Sequence, residues 1–158
     1  MHTHRLFIAM AAEQQSGQMK EFLSTAKVLQ AETLKDAGNE SYKKGLYTDA
    51  ITKYTKALHK LQTGAATESS RCIQLACLTN RAACALKLDI PDPETCAEDC
   101  TAALDLDPDN AKALFRRGTA FSQMGLSEAA LPDLQAAFKL KPSDRKIQKA
   151  LAMLMACL

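Results

Sequence analysis

Basic and amide side chains recur at helical spacing in three separate segments of the 158-residue chain. Lys35 and Asn39 are four residues apart, as are Lys112 and Arg116, and Asn80 lies between the two pairs in sequence. Because residues four apart share one face of an α-helix, the side chains of each pair project together. The set contains donors and positive charges but no carboxylate. We therefore predict a site that donates hydrogen bonds to an anion.

The third segment places like charges close together, since Arg117 follows Arg116 and Lys112. Cations in the opening turns of a helix repel one another at this spacing and oppose the helix dipole, so stability alone does not favour them. An anionic ligand would offset this cost, because hydrogen bonds to charged groups contribute about 1.5–3 kcal/mol each. A terminal aspartate carries two carboxylates, which suit two facing pairs of donors. The pattern thus indicates capture of a C-terminal carboxylate.

The elements that would position these residues form an internal repeat. With Ala31, Leu75 and Ala111 as repeat starts, apolar and small residues recur as in a helix-turn-helix unit of about 34 residues. The second copy needs about two extra residues in its turn, at Asp89–Pro93, where the prolines cannot continue a helix. First helices line the concave groove of such a stack, so the basic and amide residues share that groove. The predicted boundaries are a partly disordered tail at 1–27, a repeat domain at 28–158 with repeats at 31–64, 75–110 and 111–142, and a capping helix at 143–157.

Helix ends follow from glycine and serine positions. Gly45 and Gly125 are expected to end the first helices of their repeats, because glycine tolerates the left-handed backbone found there. Ser143 is expected to cap the last helix, and Pro132 leaves the start of the preceding helix uncertain by a few residues. The last helix would cover the end of the stack through an apolar stripe: Ile147, Leu151, Leu154, Met155 and Leu158.

Composition fits a single all-α domain. Apolar residues make up 47% of the chain, charged residues 24% and aromatic residues only 5%, with no tryptophan. A net charge of +2 is too small to predict nucleic-acid binding, and no apolar run approaches the roughly 20 residues of a membrane span. The six cysteines lack the paired spacing of zinc or redox motifs, which indicates a reduced, cytoplasmic protein. We expect a monomer with no catalytic residues, no metal and no cofactor.

Several polar residues have two readings. Cys96 and Cys100 are four apart and could share a metal, but both fall at core positions of the repeat, so packing is favoured. Arg81 and Arg117 occupy a position that is usually apolar, and a role in packing or in a salt bridge between helices is favoured over ligand contact. His59 lies among lysines and is expected to be solvated.

Three runs of sequence carry a resemblance to a known family. The runs are Leu34–Asn39 (LKDAGN), Leu78–Ala83 (LTNRAA) and Lys112–Gly118 (KALFRRG). They resemble the carboxylate-clamp tetratricopeptide-repeat domains of co-chaperones, over about residues 31 to 155, and look most like the N-terminal domain of the myosin-folding chaperones. The resemblance implies a right-handed α-solenoid of three repeats plus a capping helix. It also implies five clamp positions, filled here by Lys35, Asn39, Asn80, Lys112 and Arg116.

The resemblance further implies a function. Family members bind the Glu-Glu-Val-Asp tail of the cytosolic heat-shock proteins 90 and 70 in an extended conformation, as non-enzymatic adaptors. An alternative is a structural scaffold that docks a client or a second copy through its convex face or final helix, where Met153 and Met155 lie. The sequence leaves open which heat-shock protein is preferred. The resemblance assigns the upstream part of the groove to five more residues: Tyr42, Ala83, Leu86, Lys87 and Thr119.

Overall fold

The computed structural model describes the backbone of residues 2–62 and 66–157 and the side chains of residues 12–62 and 66–157. Over these ranges the chain is all-helical, with seven α-helices and no strand, which confirms the predicted fold class. No helix in the same ranges is long and apolar enough to span a membrane. The helices are α1 (His2–Lys43), α2 (Tyr47–Gln62), α3 (Glu68–Ala85), α4 (Pro93–Leu106), α5 (Ala111–Gln123), α6 (Ser127–Leu140) and α7 (Arg145–Ala156).

Helices pack in sequential pairs. α1 packs against α2, α3 against α4 and α5 against α6, and α7 covers the last pair. Consecutive pairs join through α2 with α3 and α4 with α5, while the first helices α1, α3 and α5 also contact one another in order. Small side chains allow the close approach, because a methyl group lets helix backbones come near each other. The second helices contribute five fully buried alanines: Ala50, Ala57, Ala103, Ala130 and Ala137.

Glycines form two of the turns within repeats, as predicted. Gly45 and Gly125 have φ values of 76° and 75°, the left-handed region that glycine enters without a steric cost. The second repeat has a longer connection, residues 86–92, in place of the three residues at 44–46 and 124–126. Asp92 caps α4 there by accepting from the backbone N–H of Thr95, and Pro93 opens the helix.

Two helix starts differ from the sequence-based expectation. α3 begins at Glu68, two turns before the predicted repeat start at residue 75, because Thr67 and Ser70 cap it reciprocally. α7 is capped by Asp144 and not by Ser143: the carboxylate accepts from two backbone N–H groups and its charge complements the helix dipole. Pro132 lies inside α6, which begins at Ser127.

The first and last helices can also be compared with the sequence-based expectation. α1 is continuous from His2, so helix runs through the segment interpreted as a tail, and side chains become half-buried from Ser24 onward. The domain boundary at residue 27 stays a prediction. On α7, Ile147 and Leu154 are buried as expected, but Met155 is 60% exposed and does not join the apolar stripe. Leu158 lies outside the described residues.

Two arginines form hydrogen bonds between neighbouring repeats. Arg81 of α3 donates to both carboxylate oxygens of Asp99 on α4, at 2.8 and 2.6 Å, and to the hydroxyl of Thr55 on α2 at 2.9 Å. Arg117 of α5 repeats the pattern one unit later, with Asp133 on α6 and a hydroxyl on α4. Each guanidinium therefore links its own repeat to the preceding one, which confirms the predicted salt bridges between helices.

The core positions predicted for Cys96 and Cys100 are confirmed, since both residues are completely buried. All six cysteines are free thiols. Across the part of the chain that the structure describes, no cluster of three potential metal-ligating side chains occurs. Burial raises the pKa of Cys77 to about 12 and that of Cys84 to about 11, because an apolar setting disfavours the thiolate.

Candidate functional site

Two of the predicted clamp residues meet across the first two repeats. Asn80 on α3 donates from Nδ2 to Oδ1 of Asn39 on α1, at 3.0 Å. The same oxygen accepts a second hydrogen bond, at 2.7 Å, from the hydroxyl of Tyr54 on α2. Because both bonds end on Oδ1, the Nδ2 amide of Asn39 faces away from them. Asn39 is thus held by residues from two neighbouring helices.

Arg116 joins this site from the third repeat. Its Nη1 group donates to the backbone carbonyl of Thr79 on α3 at 2.6 Å, which ties the guanidinium to the helix that carries Asn80. A guanidinium has five N–H donors, so this bond leaves others for a ligand. The residues enclose a cavity of about 380 Å³ whose lining includes no carboxylate: Asn39, Tyr42, Lys43, Tyr54, Asn80, Ala83 and Arg116. We call this cavity the central groove.

Lys35 stands apart from the central groove. It lies one turn before Asn39 on α1, where its ammonium is 3.6 Å from Glu32 and 3.3 Å from Asp36. It lines a second depression, of about 350 Å³, between α1 and the start of α3. Both carboxylates are more than half exposed, so these contacts are weak and can be exchanged for another anion.

Lys112 is the second residue of α5 and is exposed. Within the described residues, no carboxylate oxygen lies within 4 Å of its ammonium group. A lysine carries its compact charge on a flexible four-carbon stem, so a change of rotamer can move the Lys112 ammonium group toward the cavity. The structure therefore brings Asn39, Asn80 and Arg116 together and leaves Lys35 and Lys112 outside the cavity.

Four of the five upstream residues divide into two groups. Tyr42 and Ala83 line the central groove. Leu86 is half-buried and packs against the core beyond the end of α3, and Thr119 donates its hydroxyl to the Phe115 carbonyl within α5 at 2.8 Å. The groove assignment of Leu86 and Thr119 stays a prediction.

Lys87 sits over an aromatic pair. Its ammonium lies 5.7 Å from the ring centre of Tyr42 and 5.6 Å from that of Tyr47, and the two rings meet edge to face at 5.5 Å. Cation–π contacts at such distances hold the charge at the mouth of the groove. The positive charge of Lys87 therefore extends the basic surface beyond the cavity.

Two residues that line the groove, Lys43 and Tyr54, were not among the site residues predicted from the sequence. Lys43 lines the groove, and its pKa is raised by a 2.7 Å contact with Glu40. Burial raises the pKa of Tyr54 to about 12, so its hydroxyl stays protonated at neutral pH. Tyr54 could have been found from its position, because the corresponding places in the other repeats hold Cys100 and Leu134, which have no hydroxyl. The groove can thus offer N–H donors and positive charge to an anionic, extended ligand.

Comparison with known proteins shows related domains. No protein-family model matches the chain. Outer envelope protein 61 of Arabidopsis thaliana is 35% identical over 127 residues, which cover 80% of this chain and 22% of that protein. The second TPR domain of human RPAP3, solved in complex with the HSP70 peptide SGPTIEEVD, is 30% identical with a TM-score of 0.68. That match covers 82% of this chain and 98% of the RPAP3 domain.

A third similar protein is the myosin chaperone UNC-45 from C. elegans, solved in complex with a Hsp90 peptide. It is 35% identical with a TM-score of 0.72, and the match covers 80% of this chain and 13% of UNC-45. The chain spans 22% to 30% of the length of the curated relatives it matches. Since the RPAP3 match is 30% identical and spans nearly all of a single repeat domain of the same fold, the chain belongs to the tetratricopeptide-repeat co-chaperone family.

Proposed function

We propose that the chain is a non-enzymatic adaptor that binds the C-terminal tail of heat-shock protein 90 or 70 through the free carboxylates of its last residue. The observation that carries the proposal is the meeting of Asn39, Asn80 and Arg116 in one cavity without an acidic lining residue. Three helices contribute these donors, so the site exists only when the repeats are stacked. An anion placed there gains hydrogen bonds without displacing a carboxylate.

The size of the expected affinity follows from the donor set. Hydrogen bonds between charged groups contribute about 1.5–3 kcal/mol each. Arg116, Lys112 and Lys35 could each make one or more of them with a terminal aspartate, and the two asparagines add neutral bonds. Ordering a flexible peptide costs part of this free energy. We therefore expect a dissociation constant near micromolar, which corresponds to a binding free energy of about 8 kcal/mol.

The two lysines would close on the ligand from either side of the central groove. Lys112 makes no ion pair with a described carboxylate, so its charge is available at once. Lys35 must exchange its exposed partners, Glu32 and Asp36, for the peptide carboxylate. The upstream glutamates of the tail would then lie near Lys43 and Lys87 at the mouth of the groove.

Related proteins support this partner. The RPAP3 domain is bound to an HSP70 peptide that ends in EEVD, and UNC-45 is bound to a Hsp90 peptide. Both ligands come from heat-shock proteins, and the two proteins share the repeat fold with this chain. The same class of ligand is therefore the first to test here.

Calorimetric titration with a Met-Glu-Glu-Val-Asp pentapeptide tests the proposal. We expect binding of the free acid and loss of binding when the C-terminus is amidated, because amidation removes one carboxylate charge. Lys112→Ala and Asn80→Ala should abolish measurable binding. Lys146→Ala is the matched control, since Lys146 is likewise an exposed second residue of a helix, α7. Equal affinity for the acid and the amide would refute the proposal. Parallel titration of heat-shock protein 90 and 70 tails would show the preference.

The scaffold alternative depends on α7. Met153 and Met155 are each 60% exposed there, while Ile147 and Leu154 are already buried against the stack. Two exposed methionines offer a small apolar surface compared with the roughly 800 Å² that each partner of a stable interface buries. Light scattering that shows a dimer, lost in a Met153→Lys variant, would favour this alternative.

A further inference from the structure

Tyr54 lines the central groove although it belongs to α2, the second helix of the first repeat. The residue is only 1% exposed, and its hydroxyl donates to Oδ1 of Asn39 at 2.7 Å. The ring passes beside Gly38 of α1, where a Cβ atom would lie 2.6 Å from Cε1 of the tyrosine. Any other residue at position 38 would block that path. Gly38 therefore provides the opening through which α2 contributes a polar group to the groove.

The hydroxyl acts on the Asn39 carboxamide. A carboxamide has a donor side and an acceptor side, and a carboxylate ligand requires the donor. Tyr54 and Asn80 both donate to Oδ1 of Asn39, so its Nδ2 group is left to face a ligand. Without the Tyr54 hydroxyl, only the hydrogen bond from Asn80 holds the Asn39 oxygen in place. The carboxamide can then turn by 180° and present its oxygen, which repels a carboxylate.

The arrangement is confined to the first repeat. Positions corresponding to Tyr54 hold Cys100 and Leu134, and positions corresponding to Asn39 hold Ala83 and Thr119. Hence Asn39 and the hydroxyl of Tyr54 occur together in the first repeat. A packing role alone would be met by phenylalanine or leucine, and Leu134 fills the equivalent place beside Gly118 in the third repeat.

We propose that Tyr54 is a positioning residue for the central groove: its hydroxyl holds the Asn39 carboxamide with the N–H₂ group toward the bound carboxylate. The inference rests on the function proposed above, and it adds a residue that would not touch the peptide itself. It also makes the groove pre-organised, since the donor is oriented before the ligand arrives.

A double-mutant cycle in peptide binding tests the inference. Tyr54→Phe keeps the ring and removes only the hydroxyl, and we expect it to weaken binding of the Met-Glu-Glu-Val-Asp pentapeptide roughly fivefold, the effect of one neutral hydrogen bond. In an Asn39→Ala background the same change should have no further effect on the dissociation constant. Equal fold-losses in both backgrounds would overturn the inference, because Tyr54 would then act independently of Asn39.

Thr52→Val is the matched control, since it also removes one hydroxyl from α2. Thr52 is exposed, donates to the Thr48 carbonyl within α2 and does not line the central groove. This variant should leave affinity unchanged. Thermal unfolding by circular dichroism must show that each variant is folded at the titration temperature.

A measurement on the free protein separates this inference from the proposed function. The ¹⁵N-labelled side-chain amide signal of Asn39, assigned by its absence in Asn39→Ala, should shift in Tyr54→Phe and report a more mobile carboxamide, and it should stay unchanged in Thr52→Val. An unchanged signal in Tyr54→Phe would refute the positioning role whether or not the peptide binds. Absence of pentapeptide binding by the wild type, with a shifted signal, would refute only the proposed function.

Discussion

The ion pair between Arg81 and Asp99 allows a stability prediction with a definite order of effects. The Asp99 side chain is 5% exposed and that of Arg81 is 20% exposed, and two hydrogen bonds join them. The hydrogen bond to Asp99 raises the pKa of Arg81 above its usual value. Because the carboxylate is the more deeply buried partner, loss of the guanidinium should cost more free energy of unfolding than loss of the carboxylate charge.

The expected magnitudes follow from what each variant leaves behind. Arg81→Met keeps most of the aliphatic stem but leaves the Asp99 carboxylate buried without a cation, which should cost about 3–5 kcal/mol. Asp99→Asn keeps an acceptor oxygen and leaves a guanidinium that still reaches Thr55 and water, so about 1–2 kcal/mol is expected. The double variant contains no unpaired buried charge. It should therefore be about 1–2 kcal/mol more stable than Arg81→Met alone.

Guanidinium denaturation at pH 7, followed by circular dichroism at the helix band, measures these differences. Since domains of this size are stable by about 5–15 kcal/mol, the Arg81→Met variant should lose a large share of its stability. Arg117→Met and Asp133→Asn repeat the comparison in the third repeat, where the Asp133 side chain is 7% exposed and the same order of costs is expected. An Asp99→Asn cost equal to or above that of Arg81→Met, or a double-variant cost equal to the sum, would refute the reasoning.

A glycine, two exposed thiols and a helix cap give three further predictions. Gly38→Ala should destabilise the chain by about 1–3 kcal/mol in chemical denaturation, because its new methyl group would overlap the Tyr54 ring. Cys72 and Cys157 should be the thiols that react with Ellman's reagent in the native protein, because the other four are buried. Asp92→Ala should cost about 1 kcal/mol near neutral pH through the lost cap of α4, and the difference from wild type should shrink as pH falls below about 4.

Each of these has its own control. Gly17→Ala, where nothing lies within 4 Å of the added methyl, should not destabilise, and equal losses at positions 17 and 38 would contradict the steric argument. Rapid reaction of more than two thiols per native chain would contradict the burial of Cys77, Cys84, Cys96 and Cys100. All six thiols should react in denaturant. For Asp92, hydrogen bonds from Thr95 lower the carboxyl pKa, so its stabilisation is present above the unfolded pKa and lost as pH falls. A pH-independent difference would exclude a contribution from the charge.

The repeat and the types of the groove residues could be predicted from the amino-acid sequence alone. Spacing of small and apolar residues identified the helix pairs, because each pair buries the same positions, and Gly45 and Gly125 marked helix ends through a backbone requirement of glycine. Local capping was predicted less well. The reciprocal cap at Thr67 and Ser70 starts α3 earlier than the repeat pattern implies, and Asp144 displaces Ser143, since neighbouring candidates compete within one turn.

Which donors meet depends on how the helices pack. Asn39 and Asn80 are 41 residues apart in sequence and form a hydrogen bond because α1 and α3 are adjacent in the stack. Sequence spacing placed Lys35 beside Asn39, but the ammonium turns to Glu32 and Asp36, a rotamer choice that local periodicity does not determine. The Tyr54 hydroxyl reaches Asn39 from α2 because Gly38 leaves room for the ring. The types of the donors were therefore fixed by sequence, while their orientation depends on packing between helices.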